Sequence, residues 1–221
     1  MEKKFSFEKE ALLASGVNEK GGLAIYKDRL HLILQQFLYE ISPIPDPLIK
    51  ARDLFNWLWK GKSTRYEMRG QFRLSAVIDA QLHKGDRPTG NCLGLTLLYN
   101  CLLRRMGVIA DALYLENAFG IGPHVLTLLQ TEPSTIDIEN ILQDGFDYKG
   151  HLPHLSRIIW GDRELVADIY HSLGNELFLK NELAEALEKY EMSLHLNPGY
   201  EKARLNKLIL LDKMEMDRRT G

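Results

Sequence analysis

Between Cys92 and Leu103 the chain reads Cys-Leu-Gly-Leu-Thr-Leu-Leu-Tyr-Asn-Cys-Leu-Leu, with no charged residue on any side. Leucines recur at helical spacing, Pro88 and Gly90 break the preceding pattern, and Gly107 ends this one. The pattern predicts a helix that is apolar all round and therefore enclosed by the rest of the chain. It is too short to cross a bilayer, so the enclosure has to be protein.

This helix opens with a thiol. The first amide N–H groups of a helix have no intrahelical partners and carry partial positive charge, which favours a thiolate at Cys92. Such a sulfur becomes a nucleophile if a base and an orienting acid reach it from elsewhere in the chain.

Upstream, the pattern is helical throughout. A short helix is expected over Phe7 to Ala14. From Leu23 to Ile41, Ile25, Leu30, Ile33, Leu34, Phe37, Leu38 and Ile41 form one apolar stripe. Ser42-Pro43-Ile44-Pro45 stops it, and Asp46 with Pro47 caps and starts a helix whose inner face is Leu48, Ala51, Leu54, Phe55, Leu58 and Trp59. A further helical pattern runs from Phe72 through Leu82 towards Lys84-Gly85-Asp86.

After Gly107 the period falls to near two. Val108 to Glu116, His124 to Gln130 and Thr135 to Asn140 read as strands, the last two joined by Thr131-Glu-Pro-Ser134 as a hairpin. A turn near Gln130 and Thr131 sets His124 opposite Asp137 on one face. A carboxylate beside an imidazole fixes its tautomer and leaves the other ring nitrogen to take a thiol proton. Glu139 has the same parity and is an alternative acid; Asp168 is another, at a helix start. Residues 144 to 164 carry Gly145, Gly150, Pro153 and Gly161 and read as loop. The pair His151-Leu-Pro-His154 within them lacks a nearby Cys or acidic cluster, so no metal site is expected.

From Ala167 the helical pattern returns. Tyr170, Leu173, Gly174, Leu177, Ala186, Tyr190 and Pro198 fall at the signature positions of one tetratricopeptide repeat, whose period is about 34 residues. A third helix, from Glu201 with Ala203, Leu205, Leu208, Ile209 and Leu211, is expected to cap it. A single repeat has no stacking neighbour and is expected to pack against the domain before it.

Taken together, Gly90-Asn91-Cys92 opening an apolar helix that ends in Arg105-Met106-Gly107, a strand over Ile109 to Leu115, His124-Val125 on a strand and Asp137 on the next resemble the transglutaminase-like cysteine-peptidase superfamily. The upstream helices and the single repeat make the chain similar to bacterial transglutaminase-like proteins that carry tetratricopeptide segments, over roughly residues 70 to 200. The resemblance implies a papain-related α+β fold: N-terminal helices and a Cys-bearing helix packed on a small antiparallel sheet, followed by the helical appendage. The expected domains are residues 1–165 and 166–221. The resemblance further implies Cys92 as nucleophile, His124 as base and Asp137 as orienter, with Gln81 and the Cys92 amide as candidates for stabilising an oxyanion. The activity implied is hydrolysis of an amide or peptide, or acyl transfer to an amine; the alternative is an inactive module that binds a protein partner.

No cofactor or metal is expected. Among 221 residues, 26% charged and with a formal net charge of −2, no basic field points to nucleic acid or anionic lipid. Protein or peptide is the expected partner or substrate. Met1 to Glu8 holds no apolar run of the signal type, and the two cysteines, Cys92 and Cys101, sit about two and a half turns apart on one helix, too far round to bridge. A reducing, cytoplasmic setting is expected.

Overall fold

The computed structural model describes residues 5–19, 21–41 and 46–220. The proline-rich stop at residues 42–45 and the first four residues lie outside them. The chain is α+β and divides into two compact units, Met1–Gly161 and Asp162–Gly221.

In the first unit, α1 (Phe7–Ala14), α2 (Gly22–Glu40), α3 (Pro47–Gly61), α4 (Leu74–Leu82) and α5 (Cys92–Arg105) precede a sheet of β1 (Ala110–Ala118), β2 (Gly122–Thr131), β3 (Ser134–Ile138) and β4 (Ile158–Trp160). The α3 start follows from local chemistry. The Asp46 carboxylate accepts from the Leu48 and Ile49 amides at 2.8 and 3.0 Å, and Pro47 occupies the position whose N–H would be orphaned. On α2 the inward stripe is narrower than the sequence pattern suggests: Leu30, Ile33, Leu34 and Phe37 are buried, but Ile25 and Leu38 face solvent.

Helix α5 is buried along its whole length from Leu93 to Leu103, as an apolar circumference requires. It lies against β2 and β1 through polar ties. The Thr96 hydroxyl donates to the Val125 carbonyl, Thr127 donates to Asn100 Oδ1 at 2.7 Å, and the Asn100 amide donates to the Asp111 carbonyl at 3.1 Å. At its other end Arg105 forms a fork with the Glu8 carboxylate at 2.7 and 2.8 Å, which fixes α1 to α5.

The sheet is antiparallel throughout, in the order β3-β2-β1-β4. Strand β4 falls in the region read as loop, and its three residues are too few to show a period. It is held by the Trp160 ring stacked on Tyr114 at 4.1 Å. The hairpin register corrects an expectation. Because Thr131 pairs with Ser134 and the turn is Glu132-Pro133, Asp137 faces Leu128 and not His124.

The second unit comprises α6 (Asp162–Leu179), α7 (Leu183–Leu196) and α8 (Glu201–Thr220). Its boundary comes slightly ahead of the expected one, because α6 begins at Asp162 and not near Ala167. Gly174 is required by a close approach: a Cβ there would lie 2.5 Å from the Tyr190 ring. Tyr190 in turn packs with Ala186 and Leu210 in the core of this unit. Helix α8 buries Ala203 and Leu210, while Leu205, Leu208, Ile209 and Leu211 are exposed, so the capping face is not the one its leucines suggest.

Candidate functional site

The start of α5 is anchored tightly. The Asn91 side chain caps it by accepting from the Gly94 amide at 3.0 Å, and the Asn91 amide donates to the Gln71 carbonyl at 2.9 Å. Gly94 allows the chain before α4 to lie directly on the helix, since a Cβ there would stand 2.4 Å from the Gln71 oxygen and 2.6 Å from Val77. Cys92, half-buried, is thereby held in place at the helix tip.

His124 enters from the start of β2, paired with Leu115 of β1 and 7% exposed. The Cys92 side chain is close enough to act on its ring. The other partner is Glu139: Oε2 of that carboxylate accepts from His124 Nε2 at 2.8 Å. With Nε2 committed to the carboxylate, Nδ1 is the nitrogen left for the sulfur. Burial opposes the charged ring, but the hydrogen bonds to Cys92 and Glu139, with the charges of the same two groups, outweigh it and raise His124 to about 10.

The acid in contact with the imidazole is therefore Glu139, named as the alternative, and Asp137 is elsewhere. Asp137 accepts a bidentate pair from Arg157 at 2.8 Å on both oxygens, and Arg157 also donates to the His151 carbonyl. The register explains the exchange. Shifting the turn from Gln130-Thr131 to Glu132-Pro133 slides β3 by an even number of residues, which preserves the face but brings a later residue of the same parity towards His124. Glu139 is that residue.

Glu139 is fully buried and serves two rings. Its Oε2 also accepts from His151 Nε2 at 2.7 Å. Burial alone would raise this carboxyl, yet the hydrogen bonds and charges of both histidines bring it below the ordinary value. The sequence placed His151 in a loop remote from any acid; the structure corrects this, because the loop folds back onto the end of β3. His124 Nε2, Glu139 Oε2 and His151 Nε2 lie within 4.8 Å of one another, the one group found among the described residues whose donors converge closely enough for a metal ion. Here they satisfy one another by hydrogen bonds.

The walls come from the two loops flanking the hairpin. Phe119, in the left-handed region at φ 54°, sets its ring edge-on to His124 and His151 at 5.5 and 5.0 Å, and Tyr148 packs on His151 at 4.9 Å. Tyr66, not singled out by any sequence pattern, bridges to Gly90. Burial, then the charges of Cys92 and Glu139, push its phenol above the ordinary value, so it remains an O–H donor.

Gln81 is in the last turn of α4, its Oε1 is buried without a hydrogen-bond partner, and it makes no hydrogen bond to Cys92 or His124. Asp168 belongs to the second unit, where it accepts from the Tyr200 hydroxyl at 2.7 Å and lies 3.5 Å from His171. His154 stacks near His151 at 5.3 Å without reaching Glu139. Neither Cys92 nor Cys101 forms a disulfide, and no helix among the described residues is long and apolar enough to cross a membrane.

No family model, curated protein or solved structure matches this chain.

Proposed function

We propose that this chain is a thiol-dependent amide or peptide hydrolase, or an acyltransferase of the same chemistry, in which Cys92 is the nucleophile, His124 the acid and base, and Glu139 the orienting carboxylate. The observation that carries the reading is a buried imidazole, His124, held at 2.8 Å by the fully buried Glu139 carboxylate and acted on by the Cys92 side chain at the tip of α5. A sulfur, an imidazole and an acid in that order recur on unrelated folds wherever an acyl group is transferred through a thioester.

The geometry suggests how the steps divide. The Cys92 sulfur attacks the carbonyl carbon, and the proton of the pair is held on His124. The carbonyl π electrons move to oxygen. The Cys92 backbone N–H at the helix tip and the Tyr66 hydroxyl are the donors we assign to that oxyanion. Collapse expels the amine, which takes the imidazolium proton, and leaves a thioester. His124, now neutral, accepts a proton from water or an amine that attacks the thioester and restores the thiolate. Glu139 acts through His124, keeping Nε2 protonated and Nδ1 aimed at the sulfur.

This reading extends the resemblance to the transglutaminase-like superfamily, with Glu139 taking the part first assigned to Asp137. The papain-related arrangement and the tetratricopeptide character of α6 and α7 belong to the same proposal, supported by a Cys-bearing helix against an antiparallel sheet and by the Gly174–Tyr190 approach. A reducing compartment suits a chain whose nucleophile has to stay a thiol.

Iodoacetamide tests the reading. At neutral pH Cys92 is expected to alkylate faster than a model thiol, His124→Ala to abolish the excess, and a fluorogenic amide library to show turnover lost in Cys92→Ser. A Cys92 rate no greater than that of the model thiol refutes the enzyme. The second reading, a scaffold that holds a protein partner, rests on the exposed Leu205, Leu208 and Ile209 of α8 and is favoured by that outcome.

A further inference from the structure

A second group of buried polar atoms lies outside the thiol site, and it has a charge that no acid among the described residues pairs with. Arg65 is 1% exposed, and neither its Nε nor its Nη2 has a hydrogen-bond partner. Its guanidinium carbon stands 5.5 Å from the Trp59 ring centroid, and the Trp59 indole N–H is also buried without an acceptor. Thr89 is fully buried, with its hydroxyl oxygen unpartnered as well.

Arg65 and Thr89 share a side for a topological reason. Tyr66 and Gly90 form a parallel bridge, and the Arg65 carbonyl accepts from the Thr89 and Gly90 amides at 2.8 and 3.1 Å. Neighbouring residues of a bridge point alternately, so Arg65 and Thr89 send their side chains to the same side, opposite to Tyr66. A second cation borders the group. Lys62 is 8% exposed and donates to the Gly85 carbonyl at 3.2 Å; burial, and then the Arg65 charge, draw its ammonium below the ordinary value. The one acid that acts on Lys62 is Asp86, at the surface, and among the described residues none forms an ion pair with Arg65.

A buried guanidinium within electrostatic reach of a part-buried ammonium, with an indole N–H and a hydroxyl left open, forms a set made almost wholly of donors. A buried polar group without a partner is costly, and a buried charge is far costlier. The missing component is an acceptor that carries negative charge.

We infer that Arg65, Trp59, Thr89 and Lys62 form a binding site for a small oxyanion, beneath the segment that leads through Gly90 and Asn91 to Cys92. A planar guanidinium presents two parallel N–H groups to two oxygens of a phosphate or carboxylate group, and the indole and hydroxyl reach its other lone pairs. Bound there, the anion ties α3 to the chain on either side of the Tyr66–Gly90 bridge. The site is independent of the thiol chemistry, since none of its four side chains belongs to the group around Cys92.

Thermal melts of the full chain in sodium phosphate and in sodium formate, each against sodium chloride at matched ionic strength, test the inference. A saturable rise in melting temperature is expected in at least one oxyanion series: phosphate alone marks a phosphate-class ligand, formate alone a carboxylate, and both a general oxyanion site. Arg65→Met is expected to lose that response. Thr89→Val keeps the arginine and the shape of the site, and its half-saturating concentration is expected to rise about tenfold, the effect of one lost donor to a charged acceptor. Trp59→Phe keeps the ring and removes the N–H, so it gives the same reading should Arg65→Met fail to fold. The inference is overturned if neither oxyanion exceeds chloride in the unmodified chain, or if Thr89→Val and Trp59→Phe both respond as it does.

Discussion

Replacing Glu139 with Gln separates the two acids that the hairpin offers. The carboxylate is completely buried and accepts from His124 at 2.8 Å and from His151 at 2.7 Å on a single oxygen. The amide keeps the volume and one acceptor oxygen, but it cannot carry charge: with its oxygen in the place of Oε2 it accepts from both rings as a neutral group, while its NH2 faces the Ile141 amide. Hydrogen bonds to a charged group contribute about 1.5–3 kcal/mol each, and breaking a buried pair costs about 3–5 kcal/mol. A loss of about 3 kcal/mol is expected, because two charge-assisted hydrogen bonds become neutral ones and the NH2 group opposes the Ile141 N–H. For a chain of this size that corresponds to a fall in melting temperature of about 6–12 °C.

The chemical effect is the more decisive. Without the Glu139 charge, His124 loses one of the two groups that raise it to about 10, and the alkylation rate of Cys92 at neutral pH is expected to drop. Asp137→Asn is the control. It breaks the fork to Arg157, whose side chain is 23% exposed, so a smaller cost of about 1–2 kcal/mol is expected after allowing for solvent screening. Its alkylation rate is expected to match that of the unmodified chain. A slow Asp137→Asn beside a normal Glu139→Gln would refute the assignment, and two normal variants would refute any role for a carboxylate behind the imidazole.

The pH dependence of stability carries a definite sign. His124 is raised in the folded chain from an ordinary value of about 6.5, so its contribution is complete below about 6.5 and is lost as pH climbs through about 10. Glu139 is lowered, so its contribution is present above the ordinary carboxylate range and lost as pH falls through the folded value. Denaturant titrations are expected to show a plateau between these limits, and an alkaline limb that flattens in Glu139→Gln. Gly94→Ala forces a methyl to 2.4 Å from the Gln71 oxygen and is expected to cost about 1–3 kcal/mol by overpacking, read as a lower denaturation midpoint. Tyr200→Phe removes the donor to Asp168 and is expected to cost about 1 kcal/mol while leaving Cys92 alkylation unchanged; a slowed thiol would return Asp168 to the site.

Features set by local chemistry were legible in the sequence. The bounds of α1 and the cap at Asp46 follow from signals within a turn or two of chain, and so does the position of Cys92 on the first residue of a helix buried from Leu93 to Leu103. The hairpin and the parity of its residues followed from a period of two. Which acid meets His124 did not, because hairpin register depends on where the turn falls, and sliding it by an even number of residues leaves every apolar residue on the same face. His151 reaches Glu139 along a segment with no period to read, and Arg65 is buried against Trp59 on the side to which a single bridge also turns Thr89. Periodicity and capping act between neighbours in the chain and are written in it. The partner of a buried charge is settled by packing over long separations, and there the tertiary structure alone decides.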